Sequence, residues 1–195
     1  MTIHTVVIYP LMLRLFTPIR IRDFFASILP AQLVAFSTSS SAATLPVTMK
    51  HVHKNIGVSD EVASFVLPLG ATINMDGTAL YQAVAAVFIA QTLGIPLDVG
   101  AQATIVFTAL LGSIGTAAVP SAGIVMLVVV LESVGVPVAG IALILGVDRI
   151  LDMCRTAANV TGDATVATVV AASENQLFPT VVNKLKGDSF SAGRL

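Results

Sequence analysis

Apolar residues run through this chain in blocks that break off where a membrane helix would continue. Val6 to Phe16 is apolar but shorter than the ~20 residues of a full span. Phe24 to Ser37 is again short and gives way to a small, polar stretch from Ser37 to Pro46. Val62 to Ile73 stops at Asn74-Met75-Asp76-Gly77-Thr78, and Ala79 to Ile95 resumes at nearly spanning length. Ala101 to Leu111 is short, ends in the run Gly112 to Gly123, and is followed by Ile124 to Val134. Val138 to Ala172 then predicts one long helix, beyond which the chain turns polar from Ser173. Short apolar arms on either side of a Ser/Thr/Gly/Ala/Pro tip predict helical hairpins that enter and leave a membrane on one side. Such tips expose backbone groups that lipid cannot satisfy but a binding cavity can use. Small-residue runs also serve close helix packing, but the proline in each tip (Pro46, Pro120) and the short arms favour hairpins.

The last helix carries the chemistry. At about 100° per residue, Asp148, Asp152, Arg155, Thr156, Asn159 and Asp163 share a stripe roughly 100° wide, and Arg149 lies off it. At membrane depth such a stripe faces a protein interior or a watery cavity. The alternative, a soluble amphipathic helix with a solvated face, conflicts with the composition. Hydrophobic residues make up 55% and charged residues 11% of the 195 positions, whereas a soluble domain carries roughly a quarter charged residues. The chain is therefore expected to be an integral membrane protein. A net charge of −1 gives no support for nucleic-acid binding.

One cysteine, Cys154, excludes an intrachain disulfide and a cysteine zinc site. Its position on the helix suggests a small core residue. His51 and His53 stand with Lys50 and Lys54 and read as a solvated basic loop. No basic leader or cleavage site follows Met1, so no signal peptide is predicted, and the first apolar run reads as the tail of a longer helix. Arg14, Arg20, Arg22, Lys50 and Lys54 flank the first hairpin, Asp98 and Glu132 the second, and Lys184 and Lys186 follow the last helix. By the positive-inside rule the first hairpin and the C-terminus belong to the cytoplasmic side and the second hairpin to the outside.

At Asn74 to Thr78 an amide, a carboxylate and a glycine break an apolar helix. Gly77 is expected to allow unwinding, and the freed carbonyls with Asn74 and Asp76 offer hard oxygen ligands for Na⁺ or a similar cation. A plain helix kink is the alternative. Asn159 and Asp163 on the striped helix would complete an ion site. Arg155 can hold a carboxylate through two hydrogen bonds. Asp152, about one turn earlier, can take an ammonium group. Together they fit an acidic amino acid, side-chain carboxylate on Arg155 and α-amino group on Asp152. The i, i+3 spacing also lets Arg155 and Asp152 pair with each other.

The serine-rich tip ending in Thr44-Leu45-Pro46, the Asn74–Thr78 break, the tip Gly115-Thr116-Ala117-Ala118-Val119-Pro120 and the helix Asp148…Asp152…Arg155…Asn159…Asp163 resemble, in this order, the glutamate transporter family. This is the group of dicarboxylate/amino acid:cation symporters. The resemblance runs from about Val6 to the tail and implies the C-terminal half of that fold: part of a sixth helix, two hairpins, a broken seventh helix and an eighth. It implies a substrate site from Ser40, Ser41, Thr78, Val119, Gly123, Asp152, Arg155, Thr156 and Asn159. It implies one sodium site from Gly70, Asn74, Asn159 and Asp163, and a second from Thr72, Met75, Ser113, Ile114 and Thr116. A third uses Asn74 and Asp76 with an earlier helix outside these residues. Where many members place a further arginine, this chain has Ser39 and Met153. Where the animal transporters carry a proton on a glutamate, it has Gln82, so electrostatics and proton coupling are expected to differ.

The expected protein is an all-α integral membrane protein of the plasma (inner) membrane. It would have two re-entrant hairpins, a broken helix and a long amphipathic transmembrane helix. Residues 1–173 form a transport domain and 174–195 a polar cytoplasmic tail. Its expected activity is symport of aspartate, glutamate or C4-dicarboxylates with Na⁺, or with H⁺, without an organic cofactor. The resemblance further implies an N-terminal scaffold half, missing from these residues, through which the full-length protein is a homotrimer. Two rivals are a truncated, transport-inactive product of the same family and a membrane metalloenzyme using the aspartates. Against the second, no histidine accompanies the carboxylates and no nucleophile–base pair is visible.

Overall fold

The structure is a computed structural model that describes residues 1–178. These residues are helical almost throughout. A π-helical turn, His4–Ile8, leads into α1 (Tyr9–Phe16). Helix α2 (Ile21–Thr38) packs on α3 (Ser41–His51), and a second π-helical turn, Val52–Ile56, follows. Next come α4 (Asp60–Ile73) and α5 (Asp76–Thr92), then α6 (Val99–Ile114) packed on α7 (Ala122–Ser133). A 3₁₀ turn, Val138–Leu143, precedes α8 (Leu145–Ser173).

Both hairpins of helices form, with tips shorter than the polar runs suggest. The first tip is only Ser39 and Ser40. Ser39 takes the left-handed conformation that ends α2 (φ 52°), and the Ser40 hydroxyl caps α3 by accepting from the Ala43 N–H. Ser41 to Pro46 lies inside α3, not in a loop. The second tip runs from Gly115 to Ser121, where Ser121 is also left-handed (φ 63°). The long helix expected from Val138 begins instead at Leu145, because the 3₁₀ turn and Ile144 interrupt it. His51 and His53 do not lie in a loop: the chain stays helical to Ile56, and the His53 ring meets the Val58 carbonyl at 2.9 Å and Asp60 at 3.2 Å.

Two apolar cores flank the middle of the molecule. One gathers α1, α2, α4 and the C-terminal half of α8 around Leu13, Phe24, Ile28, Leu67, Ala164 and Ala167. The other gathers α5, α6, α7 and the 3₁₀ turn around Tyr81, Ile89, Ile105, Leu127 and Leu131. Helix α8, roughly 43 Å long at 1.5 Å per residue, touches both cores, and its alanines let neighbouring backbones approach closely. Its threonines Thr161, Thr165 and Thr168 donate to the carbonyls four residues earlier, so their hydroxyls are satisfied inside the helix.

Large apolar side chains cover the outside, among them Leu33, Phe65, Val84, Phe107 and Ile150. Such a surface suits lipid or an apolar partner. Among the described residues, Asp60–Thr92 is the one helical stretch long and apolar enough to cross a bilayer by composition. At the far end of α8, Gln176 to Phe178 returns to the end of the first hairpin. Leu177 pairs with Val58, the Ser59 N–H donates to the Gln176 carbonyl and the Phe178 N–H to that of Gly57. The first part of the expected tail is thus docked, and residues 179–195 lie outside the described residues.

Candidate functional site: a polar cavity between the hairpin tips

The polar stripe of α8 is buried along its whole length. Asp148, Asp152, Arg155, Thr156, Asn159 and Asp163 are each at most 4% exposed, while Arg149 is exposed. Burying four charged side chains is tolerable only where each finds partners, and the helix break supplies one of them, the Asn74 amide on Asp163. The break is confined to Asn74 and Met75, whose ψ angles of 65° and 55° leave the helical region. Gly77 is not the unwinding residue. It lies inside α5, packed on α8 so tightly that a Cβ there would stand 2.8 Å from the Arg155 carbonyl oxygen and 2.8 Å from Asn159 Oδ1. Its missing side chain serves close approach, and the break falls where two non-glycine residues leave the helix.

A small cavity of about 20 Å³ opens between the two tips, α5 and α8, room for about one water molecule. Ser41, Thr78, Val119, Gly123, Asp152, Arg155, Thr156 and Asn159 line it, eight of the nine positions expected to bind substrate. Ser40 does not. Its hydroxyl donates to the Ala118 carbonyl at 2.8 Å, and the Ala42 N–H donates to the same oxygen at 3.2 Å, so Ser40 ties one tip to the other. Ser39 lines the cavity instead, its buried hydroxyl without a partner among the described residues.

Arg155 Nη2 donates to Asp152 Oδ1 at 2.5 Å, while Asp152 Oδ2 accepts the Ser121 N–H at 2.8 Å. The Arg155 guanidinium carbon stands 4.4 Å from the centre of the Tyr81 ring, and Gly123 abuts the guanidinium so closely that a Cβ would lie 2.7 Å from Cζ. Nη1 of Arg155 and Oδ1 of Asn159 are buried without a partner among the described residues. The cavity therefore offers an unspent guanidinium donor, an unspent amide acceptor and a carboxylate, the set that a zwitterion with an extra carboxylate would use. Asn159 Nδ2 meanwhile donates to Thr78 Oγ1 at 3.0 Å, joining α8 to α5.

The expected cation ligands separate into groups. Asn74 Nδ2 donates to Asp163 Oδ1 at 2.9 Å, and Gly70 is so close that a Cβ would lie 2.7 Å from the same oxygen. Gly70, Asn74 and Asp163 share a second cavity, and Asn159 lies one turn away in the cavity between the tips. Met75 and Thr116 both line the cavity between the tips, and Ser113 is buried, its hydroxyl donating to the Leu110 carbonyl. Thr72 and Ile114 stand apart: the first is exposed and donates to the Leu69 carbonyl, the second is 44% exposed. Asp76 is met from within the chain. Tyr9 donates to its Oδ2 at 2.5 Å, and His4 Nε2 stands 2.7 Å from the same oxygen. Sequence reasoning overlooked His4, Tyr9 and Tyr81 because an aromatic residue in an apolar run carries no periodic signal that sets it apart from lipid-facing neighbours. Cys154, expected in the core, points outward. It follows Asp152 by two positions on a helix, so it falls off the buried stripe.

The described residues are all-helical, with a buried charged stripe at their centre, as in a membrane transporter. Residues 1–173 match the model of the Sodium:dicarboxylate symporter family, and the chain belongs to that family, which comprises transporters and not enzymes. It is 48% identical over 168 residues to excitatory amino acid transporter 2 of Homo sapiens, covering 86% of this chain and 29% of that protein. It is 50% identical over 168 residues to human excitatory amino acid transporter 1 (86% and 31%). It is 48% identical over 170 residues to an excitatory amino acid transporter of Caenorhabditis elegans (87% and 34%). The chain thus spans about a third of the length of these curated relatives.

Proposed function

We propose that residues 1–173 are the transport domain of a secondary symporter that carries an acidic amino acid, aspartate or glutamate, or a C4-dicarboxylate across the plasma membrane together with Na⁺. The observation that carries this reading is the buried Arg155, whose Nη1 has no partner, beside Asp152 in the cavity between the tips. The substrate's side-chain carboxylate takes the unpartnered Nη1 of Arg155, and its ammonium group competes with the guanidinium for Asp152. The two helix pairs act as re-entrant hairpins whose tips meet at Ala118, and opening of the second tip admits the solute. In this reading residues 174–195 are the cytoplasmic tail. A scaffold half of the kind found in trimeric transporters holds the moving domain in the membrane. The names of the relatives, excitatory amino acid transporters, support the same substrate class.

The buried Asp148, Asp152 and Asp163 set three carboxylates against one guanidinium, with the partly buried Asp76 beside them, so solute and cation binding together would balance the site. Oxygen donors from Asp163, Asn74 and Asn159 suit a hard monovalent cation better than a transition metal. Na⁺ should therefore raise aspartate affinity, and Asp163→Asn should need roughly tenfold more Na⁺ for the same effect, a loss of ~1.4 kcal/mol. Isothermal titration of aspartate at several Na⁺ concentrations checks this. Aspartate binding indifferent to Na⁺ but dependent on pH would replace Na⁺ by H⁺. Transport also needs one bundle to move against another held in the bilayer. Residues 1–195 alone are expected to give no aspartate uptake in vesicles, and co-expression of a scaffold half should restore it. Uptake by these residues alone refutes the two-part reading, and failure of rescue favours an inactive product.

A further inference from the structure

Asp148 is the one carboxylate of the α8 stripe that the proposed solute and cation sites do not use. It is buried, and it accepts the Tyr81 hydroxyl at 2.5 Å. Tyr81 projects from α5 and presents its ring face to the Arg155 guanidinium, 4.4 Å from the ring centre. Asp148 and Arg155 are seven residues apart on α8, so the phenol is wedged between two points on the same helix. Its hydroxyl end is fixed by one and its face is read by the other. A buried guanidinium over an aromatic face is attracted by the ring quadrupole, and the attraction depends on where the ring stands.

Asp152, the direct partner of Arg155, cannot hold the guanidinium throughout. One of its oxygens is already engaged by the Ser121 N–H of the second tip, and the other is the group that an incoming ammonium would claim. Once that happens, the Tyr81 ring still faces the guanidinium, and Gly123 abuts it as well. We propose that Asp148 and Tyr81 form a positioning relay: Asp148 anchors the Tyr81 hydroxyl so that the ring keeps the Arg155 guanidinium aimed at the substrate's side-chain carboxylate after Asp152 turns to the ammonium group. The relay rests on the proposed role of Arg155. Asp148 and Tyr81 need not touch the substrate. Because Tyr81 belongs to α5 and the other two to α8, the relay also makes the aim of Arg155 depend on the seating of these helices against each other.

The experiment compares Tyr81→Phe, Asp148→Asn, Asp148→Leu and the Tyr81→Phe/Asp148→Leu double in the transporter with its scaffold half present. Aspartate KM, kcat and thermal midpoint are measured for each. Tyr81→Phe and Asp148→Leu should each raise KM roughly tenfold with kcat within about twofold, the scale of a desolvated cation–π contact. Asp148→Asn keeps an acceptor for the hydroxyl and should stay within about threefold of the unmodified KM. In the double, both mismatched polar groups disappear, so the midpoint should recover while KM stays raised. A KM that recovers together with stability makes the pair a packing feature and overturns the relay. Asp148→Asn as impaired as Asp148→Leu overturns it too, since charge and not the anchoring bond would then matter. An unmodified protein that takes up aspartate alongside four unaffected variants refutes the relay alone. An unmodified protein that takes up no acidic substrate refutes the proposed function, and the relay with it.

Discussion

Replacing Arg155 by threonine is expected to abolish uptake of aspartate in a transporter containing this chain. The guanidinium is 2% exposed and already committed on one side to Asp152. Threonine leaves a substrate carboxylate with no cation in a desolvated cavity and leaves Asp152 buried without its partner. Removing one member of a buried, hydrogen-bonded charge pair costs about 2–5 kcal/mol, which reaches three orders of magnitude in affinity. The loss should fall on substrates with a side-chain carboxylate. A neutral amino acid of similar size meets no such penalty, so it is expected to compete better in the variant than in the unmodified protein. Uptake of labelled aspartate, with neutral amino acids as competitors, reads both effects. Aspartate uptake at unchanged affinity in Arg155→Thr would remove the carboxylate assignment.

The polar stripe of α8 was legible because helical periodicity is a property of spacing alone. Six residues at the right intervals had to share a face, and in so oily a chain that face had to be inside. The hairpins were legible for a similar reason, since short arms around a small-residue tip have few other uses. Tip boundaries were harder to read, because composition does not distinguish a serine in a turn from one in the first turn of a helix. Ser41 to Pro46 belongs to α3 because the Ser40 hydroxyl caps the Ala43 N–H and starts the helix there, and Pro46 is carried inside it. Pairing across the fold was not legible at all. That His4 and Tyr9 meet Asp76, or that Tyr81 stands under Arg155, depends on how α1 and α5 rotate against α8, and that angle is set by packing among small residues. Gly77 shows the same limit. A glycine beside a helix break reads as the source of the break, yet its role is decided by a neighbour about 80 positions away.

That neighbour makes Gly77 the position most sensitive to added bulk. Gly77→Val would put a Cβ 2.8 Å from the Arg155 carbonyl oxygen, 2.8 Å from Asn159 Oδ1 and 3.2 Å from the Ala158 Cβ. Two of these three atoms belong to the backbone or to a methyl on a helix and cannot swing aside. Helix α5 must then move off α8, and the shift acts at the centre of the site. Thr78 is the next residue, and its 3.0 Å bond from Asn159 joins the two helices. Tyr81, one turn further on, carries the ring under Arg155. Overpacking of this kind costs about 3 kcal/mol or more where the contact atoms are fixed. The expected result is a lower thermal midpoint together with loss of aspartate binding. Gly77→Ala, with two carbons fewer, should show a smaller version of both. Stability and binding should fall together along the series Gly, Ala, Val. A Gly77→Val protein with an unchanged midpoint and normal aspartate affinity would mean that α5 and α8 do not approach each other as closely as these distances require.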